Sequence, residues 1–307
     1  DLADGPDFNI FNKPNSNFEF NKYFDEIIKK FTIADKKIAI SLSAGLDSNI
    51  IFNSLINQKF NPLSFSLGFE NSSYDETHNV INNNKEFKKN ITLADTKTLN
   101  TKFLEFSKLI NEPNGDSSLL PTYIIFNKIK NHTNVCLGGD GGDESFYGYI
   151  TFDALIIASK LKSLFPNKIL DILSKFFQIN DSSENYLSNK KKIKKFFGSL
   201  NLEYKYLLPS WMSGLNVNDL SEKFKKKIHL EDLYDETDII FNKNFSLLKS
   251  AQLYYFKYYL PMVLAKVDQA SMFNSVESRA PFLSKKVINF SLSQQDSTLY
   301  SIFKNKK

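Results

Sequence analysis

Two short segments of this chain combine glycine, serine and aspartate in a spacing suited to phosphate chemistry. The first is Ser43–Ser48 (Ser-Ala-Gly-Leu-Asp-Ser), which follows an apolar run at residues 37–42 that is typical of a short strand. Helical spacing of apolar residues begins after it, at Asn49. A loop of small residues between a strand and a helix directs backbone N–H groups and the positive helix end toward one point, which favours phosphate. Asp47 and Ser48 would then lie where a metal ion and a phosphate oxygen can bind.

The residues of Ser43–Ser48 can be compared with three other kinds of loop. A Walker A loop ends in Gly-Lys-[Ser/Thr], and no lysine closes this segment. A nucleophile elbow, Gly-x-Ser-x-Gly, would be centred on Ser43, but Ser41 takes its first glycine position, where a sharp turn disfavours a side chain. A hydrolase using Ser43 is therefore a weak alternative, and a plain turn between strand and helix stays open.

The second segment is Gly138–Glu144 (Gly-Gly-Asp-Gly-Gly-Asp-Glu), which follows the apolar run Val135–Leu137. Four glycines and three carboxylates in seven residues cannot build a hydrophobic core. Glycine lets a ligand approach the backbone closely, and carboxylate oxygens suit Mg²⁺. The spacing does not match a calcium-binding EF-hand loop. Together the two segments predict a site for a phosphate compound and Mg²⁺.

These segments resemble the synthetase domain of asparagine synthetases, a family of the N-type ATP pyrophosphatases. The family's pyrophosphate loop corresponds to Ser43–Ser48, and its second loop corresponds to Gly138–Glu144 with Gly148-Tyr149. Further matches follow in family order: Ser66–Glu70 with Asp75-Glu76, Glu112-Pro113 with Asp116–Ser118 and Pro121, Tyr259–Met272, and Glu277–Leu283. The sequence departs from the family pattern at Ala44, Gly138, Gln269 and Ser284.

The resemblance implies ATP and Mg²⁺ as cofactors and a role for each matched residue. The implied ATP and pyrophosphate ligands are Ser43, Ala44, Gly45, Leu46, Asp47, Ser48, Leu67, Gly138 and Gly139. The implied metal ligands are Asp47 and Asp143, and the implied catalytic residues are Asp140 and Tyr149. Candidates for the acceptor side are Lys266, Asp268, Glu277 and Arg279. The family's late catalytic lysine has no assigned counterpart in this sequence.

The activity implied by the resemblance is that of an ATP-dependent, AMP-forming amidoligase, as in asparagine biosynthesis. Such an enzyme adenylates a carboxylic acid and transfers ammonia to it. Aspartate, a sugar uronic acid and a β-amino acid that cyclises to a β-lactam all remain open as the acceptor. A nucleotide-binding relative with weakened chemistry is an alternative, suggested by Ala44 and Gly138. A glutaminase domain or subunit outside this chain is expected as the nitrogen source, and a homodimer is compatible with the sequence.

Composition is consistent with such an enzyme. The 307 residues are 42% hydrophobic and 24% charged, as in ordinary globular proteins. No apolar run approaches the roughly 20 residues of a membrane span, so no membrane partner is expected. The single cysteine, Cys136, excludes a disulfide within the chain, which fits a reducing cytoplasm. The net charge of +5 and the lysine runs at 190–195 and 225–227 fit solvated helices better than a nucleic-acid site.

Apolar runs at 37–42, 63–67, 90–93 and 134–138 predict strands that alternate with helices. This pattern predicts an α/β fold with a doubly wound parallel sheet, which binds ligands at the carboxyl ends of its strands. A helix is also predicted from Thr98 to Ile110, with Leu99, Phe103, Phe106 and Ile110 on one face. The expected domains are a lead-in at 1–21, an ATP pyrophosphatase core at 22–150, and a mostly helical part at 151–307.

Overall fold

The computed structural model describes residues 20–69, 80, 89–110, 114–178, 189–214, 217–241 and 244–300. Contacts divide the described residues into two compact units. One unit runs to Phe146 and resumes at Lys257, and the other runs from Tyr147 to Phe256. This division differs from the one expected from sequence, because the residues from Lys257 onward cluster with the sheet instead of with the preceding helices.

The secondary structure consists of five strands and sixteen α-helices within the described residues. The strands are β1 (Ala39–Ser41), β2 (Leu63–Phe69), β3 (Lys89–Ala94), β4 (Val135–Leu137) and β5 (Glu277–Arg279). The helices of the first unit before the boundary are α1 (Phe20–Phe31), α2 (Leu46–Asn57), α3 (Thr96–Ser107), α4 (Leu119–Ile129) and α5 (Gly142–Ser145). The second unit contains α6 (Ile150–Leu164), α7 (Asn167–Gln178), α8 (Asn189–Gly198), α9 (Tyr204–Met212), α10 (Val217–Phe224), α11 (Leu230–Tyr234), α12 (Asp238–Phe241) and α13 (Leu247–Tyr254). The first unit resumes with α14 (Leu260–Met272), α15 (Lys285–Ser293) and α16 (Asp296–Leu299). Short 3₁₀ turns occupy Asp235–Thr237 and Pro281–Leu283, and a π-helical turn occupies Tyr255–Tyr259.

The sheet is parallel throughout, with strand order β3-β2-β1-β4-β5, and it confirms the predicted α/β class. The central strand β1 pairs Ala39 with Leu63 of β2 and with Cys136 of β4. All four predicted strands are present, each within two residues of its expected bounds. The edge strand β5 was not predicted, because its three residues, Glu-Ser-Arg, carry no apolar pattern.

Helices cover both faces of this sheet, because neighbouring residues of a strand point to opposite sides. On one face, Ile38, Ile40 and Leu42 pack with buried residues of α1 and α2. On the other face, Ala39 and Cys136 pack with buried residues of α3, α4 and α14. The two clusters hold the carboxyl ends of β1 and β4 side by side, and both glycine-rich segments begin there.

Two helices differ from their predictions. Helix α2 starts at Leu46 instead of Asn49, so Leu46, Asp47 and Ser48 form its first turn. In α3 the predicted apolar face is covered only in part: Phe106 is buried against Tyr123, whereas Phe103 is 55% exposed. Because α3 follows the edge strand β3, a single narrow stripe of this helix is covered.

Lysines cap helix ends in the second unit. Lys162 Nζ donates to the carbonyl oxygens of Leu200 and Leu202 at 2.9 and 2.7 Å. Lys195 Nζ donates to the carbonyl oxygens of Trp211 and Ser213 at 3.1 and 2.6 Å. Burial lowers the pKa of both lysines below the usual value. Lys195 is therefore a half-buried cap for carbonyls at the end of α9, and not a fully solvated surface lysine as its sequence suggested.

Among the described residues, no helix combines the length and the apolar character needed to cross a lipid bilayer. The lead-in expected at 1–21 lies outside the described residues except for Phe20 and Asn21, which belong to α1. The matches at Glu70, Asp75, Glu76, Glu112 and Pro113 also lie outside them.

Candidate active site

The first segment, Ser43–Ser48, forms a closed loop between β1 and α2. The backbone N–H of Ser43 donates to Ser48 Oγ at 3.1 Å, and the two serine hydroxyl oxygens are also 3.1 Å apart. Asn49 Nδ2 donates to the carbonyl oxygens of Ser43 and Gly45 at 3.0 and 2.8 Å. Sequence reasoning did not single out Asn49. Its side-chain amide donates to two carbonyl oxygens of the loop, and these hydrogen bonds stabilise the loop conformation.

The start of α2 supplies the N–H groups of this loop. Gly45 is the N-cap residue, in an extended conformation (φ −67°, ψ 150°), and has no side chain to cap the helix. Leu46, Asp47 and Ser48 form the first turn of α2, and the backbone N–H groups of a first helical turn point toward the residues that precede the helix. Ala44 is not among the residues with positive φ, so alanine fits the position where the family has glycine. This end of α2 is therefore suited to bind an anion.

The second glycine-rich segment lies directly against the first. A Cβ atom on Gly139 would lie 3.1 Å from both Asp47 Cβ and the backbone N of Ser48. A Cβ atom on Gly142 would lie 2.5 Å from Asp47 Cγ, so the Asp47 carboxylate rests on the Gly142 backbone. Asp143 follows Gly142 in the chain. The predicted meeting of the two segments at one sheet edge is thus present, and it leaves no room for a side chain at either glycine.

The turn Pro281–Leu283 supports the second segment from another side. Gly141 adopts φ +91°, a conformation that L-residues rarely adopt, and a Cβ atom there would overlap Leu283 Cδ2. The N–H of Gly138 donates to the carbonyl oxygen of Arg279 at 2.9 Å, which continues the β4–β5 pairing into the loop. The loop is therefore fixed between the start of α2 and a turn that lies far along the sequence.

A charged cluster joins α14 to the start of α4. Lys266 Nζ lies 3.4 Å from Asp116 Oδ2 and donates to Ser118 Oγ at 3.0 Å. Asp116 Oδ1 accepts from both the N–H and the hydroxyl of Ser118, at 2.8 and 2.6 Å. Burial alone would raise the pKa of Asp116, but these hydrogen bonds and the Lys266 charge bring it below its usual value. Lys266 is therefore held in one place by a partner that stays ionised.

Asp140 belongs to the same electrostatic environment. Burial raises the pKa of its carboxyl group above the usual value, and the positive charge of Lys266 opposes that shift. Gly138 is matched to this carboxylate, because a Cβ atom on Gly138 would lie 2.8 Å from Asp140 Oδ2. A side chain at residue 138 would therefore require the Asp140 carboxylate to shift. A carboxyl group whose pKa is raised can exchange a proton closer to neutral pH.

The other predicted site residues have different surroundings. Arg279 pairs with Glu277 (Nε to Oε1, 2.9 Å) and donates through Nη1 to the carbonyl oxygens of Phe31 and Ile33 at 2.8 and 2.9 Å. These contacts cap the end of α1. Asp268 is exposed on α14, two residues after Lys266, and so on a different side of that helix.

Leu67 and Tyr149 complete the set of predicted residues. Leu67 is half-buried on β2, the strand next to β1. Tyr149 belongs to the second unit, where its ring stacks on Tyr255 with centroids 4.6 Å apart.

Comparison with known proteins places the chain in a family. The asparagine synthase family model matches residues 19–301. Asparagine synthetase [glutamine-hydrolyzing] 1 of Bacillus subtilis is 24% identical over 272 residues, which are 83% of this chain and 40% of that protein. A Methanocaldococcus jannaschii protein, provisionally named asparagine synthetase [glutamine-hydrolyzing] 2, is 33% identical over 165 residues, 48% of this chain and 29% of its own. A Mycobacterium bovis protein, also provisionally named an asparagine synthetase [glutamine-hydrolyzing], is 22% identical over 88% of this chain and 41% of its own length. The chain thus spans less than half the length of these relatives.

The geometry of the second segment predicts that Gly141→Ala is strongly destabilising. A left-handed alanine costs about 1–2 kcal/mol, and overlap with Leu283 adds a further overpacking cost of about 1–3 kcal/mol. Urea unfolding should therefore show a loss of about 2 kcal/mol or more. The matched control is Gly115→Ala, because Gly115 has a permitted φ and open space around it; its effect should stay within about 0.5 kcal/mol. Equal effects of the two substitutions would contradict the tight fit at Gly141.

Proposed function

The chain belongs to the asparagine synthase family, and from this membership we propose that it is the synthetase part of an ATP-dependent amide-forming ligase. The proposed reaction adenylates a carboxylic acid, releases pyrophosphate, and then transfers ammonia to the acyl group. The observation that carries the proposal is the direct contact between the two glycine-rich loops, which brings Asp47 and the start of α2 against Gly139 and Gly142.

Adenylation solves a general chemical problem. A carboxylate resists attack by ammonia because its carbon is electron-rich and its leaving group would be oxide. Attack of the carboxylate oxygen on the α-phosphorus of ATP forms a mixed anhydride with AMP and breaks the bond to pyrophosphate. Ammonia then attacks the acyl carbon, AMP leaves, and the ammonium-bearing intermediate loses a proton.

We propose that Ser43–Ser48 binds the pyrophosphate group as it leaves. The first-turn N–H groups of α2 and the dipole of that helix favour negative charge that builds as the bond to the α-phosphate breaks. The hydroxyl pair of Ser43 and Ser48 would orient phosphate oxygens beside these N–H groups. Asn49 and the loop's own hydrogen bonds keep this arrangement in place before ATP binds, so little reorganisation is needed during the reaction.

We assign Mg²⁺ to Asp47 and Asp143. Among the described residues, no group of three or more His, Cys, Asp or Glu side chains is arranged to hold a metal ion. A site with two carboxylates fits Mg²⁺, which usually takes one or two carboxylates together with substrate phosphates and water. When bound, the ion would neutralise charge on the pyrophosphate oxygens. Asp47 and Asp143 would bind it from two loops that already touch.

We assign proton transfer in the second step to Asp140, with Lys266 as its positioning partner. The raised pKa of Asp140 suits a group that takes a proton from the ammonium-bearing intermediate. Lys266, held by Asp116 and Ser118, limits that rise and is the acceptor-side candidate that we retain. Glu277 and Arg279 we assign to support of the sheet edge, since their contacts are with each other and with the end of α1. Tyr149, which the resemblance implies is catalytic, stays a proposal.

Aspartate is the acceptor that we favour, because the relatives are named asparagine synthetases. Those relatives are also named glutamine-hydrolyzing, and this chain covers less than half of their length. We therefore propose a glutaminase in another domain or subunit, in a cytoplasmic enzyme. Cys136, the one cysteine of the sequence, is not suited to that role, because burial raises its pKa to about 12.

The direct test of the proposed function is the pair of products formed from ATP by the 307-residue chain. Labelled ATP should give AMP and pyrophosphate, in amounts that depend on the carboxylic acid offered, with ammonium as the nitrogen source. Aspartate, a uronic acid and a β-amino acid form the panel, and glutamine in place of ammonium should give no amide. If ADP and phosphate were the products with every acid, the proposal would be wrong.

Loss of either proposed metal ligand should slow adenylation by at least about a hundredfold, as removal of a charge-stabilising group usually does. The variants are Asp47→Asn and Asp143→Asn, and Mg²⁺-dependent pyrophosphate release is measured. Asp35→Asn is the control, because Asp35 is an exposed residue before β1. Turnover near that of the wild type in either site variant would exclude a shared Mg²⁺ site.

Asp140→Asn should separate the two steps. Exchange of pyrophosphate into ATP should persist, because it reports adenylation, while amide formation from ammonium falls by about a hundredfold or more. The same variant should be more stable than the wild type at neutral pH. Because folding raises the pKa of Asp140, its ionisation opposes folding at neutral pH. This opposition declines as the pH falls through the folded pKa and is absent below the unfolded pKa of about 3.9. Urea unfolding at neutral and acid pH checks the sign; a less stable variant at neutral pH would contradict it.

A further inference from the structure

Helix α7 of the second unit carries apolar residues on two sides. Its inner side is packed, with Leu170 and Ser174 buried and Phe177 stacked on Phe197 of α8, with ring centroids 4.8 Å apart. On its outer side, Ile169, Ile172 and Phe176 are 43%, 69% and 70% exposed. The spacing of three and four residues places these three on one line along the helix, which we call the outer stripe. Packing of α7 within the second unit does not require the outer stripe.

Positive charge borders the outer stripe. Lys168 and Lys175 are exposed and lie one helical row beside it, each within four residues of Ile172. Helices α7 and α8 together contain seven lysines and a single aspartate. At the start of α8, Lys190 and Lys192 are exposed, and Ile193 is 50% exposed. Exposed large apolar side chains and lysines therefore occur together on this helix pair.

We propose that the outer stripe and its lysine border form a peripheral binding surface for an anionic phospholipid bilayer. A helix with an apolar side and a lysine-rich border lies in the plane of the interface, where the apolar side chains enter the acyl boundary. Lysine side chains place their stems along that boundary and their ammonium groups among anionic headgroups. Charge complementarity identifies the occupant, since an uncharged apolar surface would leave the lysine border without partners.

Other occupants fit the same observations less well. A second copy of this face would bring the exposed lysines Lys168, Lys175, Lys190 and Lys192 against the same four residues, and repulsion would oppose the contact. A nucleic acid would satisfy the lysines and has one ring to stack on, Phe176, but it would leave the exposed side chains of Ile169 and Ile172 without an apolar partner. A helix that lies on a bilayer needs no membrane-spanning length, so the proposal is compatible with the finding that no described helix is long and apolar enough to cross one. It is also independent of the proposed amide chemistry.

The test is co-sedimentation of the 307-residue chain with vesicles. Vesicles of phosphatidylcholine alone should bind little, and vesicles with about 30% phosphatidylglycerol should bind the chain at least tenfold more strongly. Raising the salt from about 0.1 M to about 1 M, which shortens the Debye length from about 10 Å to about 3 Å, should remove most of that difference. The double variants Ile172→Ser/Phe176→Ser and Lys168→Glu/Lys175→Glu should each weaken binding about tenfold or more.

Matched controls use exposed residues of the first unit. Phe103→Ser/Leu104→Ser removes apolar side chains that are 55% and 62% exposed, and Lys108→Glu/Lys130→Glu reverses two exposed charges. Both should bind vesicles like the wild type. Fluorescence of the single Trp211, whose Nε1 donates to Ser199 Oγ at 2.6 Å, reports whether the second unit of each variant is folded.

Three results would overturn the proposal. The first is no preference for anionic vesicles, and the second is an equal loss of binding in the control variants. The third is equal vesicle binding by the wild type and Ile172→Ser/Phe176→Ser together with stronger binding of both to a soluble nucleic acid, because the apolar stripe would then play no part. An inactive amidoligase would leave these measurements unaffected, so failure of the proposed function and failure of this surface are distinguishable.

Discussion

The candidate site depends on the contact between the start of α2 and the backbone of the second glycine-rich loop. Gly139 and Gly142 lack the Cβ atoms that would otherwise meet Asp47 and Ser48 at 3.1 Å or less. Because this contact has no side chain on the loop side, both segments can approach one point at the carboxyl ends of β1 and β4. The N-terminal end of α2, the Asp47 carboxylate and the Asp143 residue therefore belong to one small region.

Much of this arrangement follows from local sequence patterns. The strands near 39–41 and 135–137 are short apolar runs, and a parallel sheet must bring the loops after adjacent strands to one edge. Other features depend on partners that are distant in sequence. Strand β5 is polar and is placed by pairing with β4, and Phe103 is exposed although it shares an apolar pattern with buried Phe106. In the sequence, Lys195 belongs to a lysine run that is predicted to be solvated. In the structure, its ammonium group donates to carbonyl oxygens at the end of a helix that begins nine residues later.

The electrostatics of the site show why residue types alone do not assign roles. Asp116 and Asp140 are both partly buried carboxylates influenced by Lys266, but the pKa of Asp116 is lowered and that of Asp140 is raised. The difference arises because Asp116 accepts hydrogen bonds from Ser118 and pairs directly with Lys266, whereas burial dominates at Asp140. One carboxylate holds the lysine, and the other is available for proton transfer. A sequence motif identifies both aspartates but cannot separate these two environments.

The site also depends on residues that are distant in sequence from Ser43–Ser48 and Gly138–Glu144. Leu283, in the turn that follows β5, occupies the space where a Cβ atom of residue 141 would lie, so this turn can pack against the loop only because residue 141 is glycine. Arg279, at the end of β5, fixes that turn to the end of α1 through the carbonyl oxygens of Phe31 and Ile33. The second loop therefore depends on Arg279, whose side chain pairs with Glu277 and with the end of α1. Family signatures such as Glu277–Leu283 consequently record structural support as well as chemistry, and a residue can belong to the motif without belonging to the reaction.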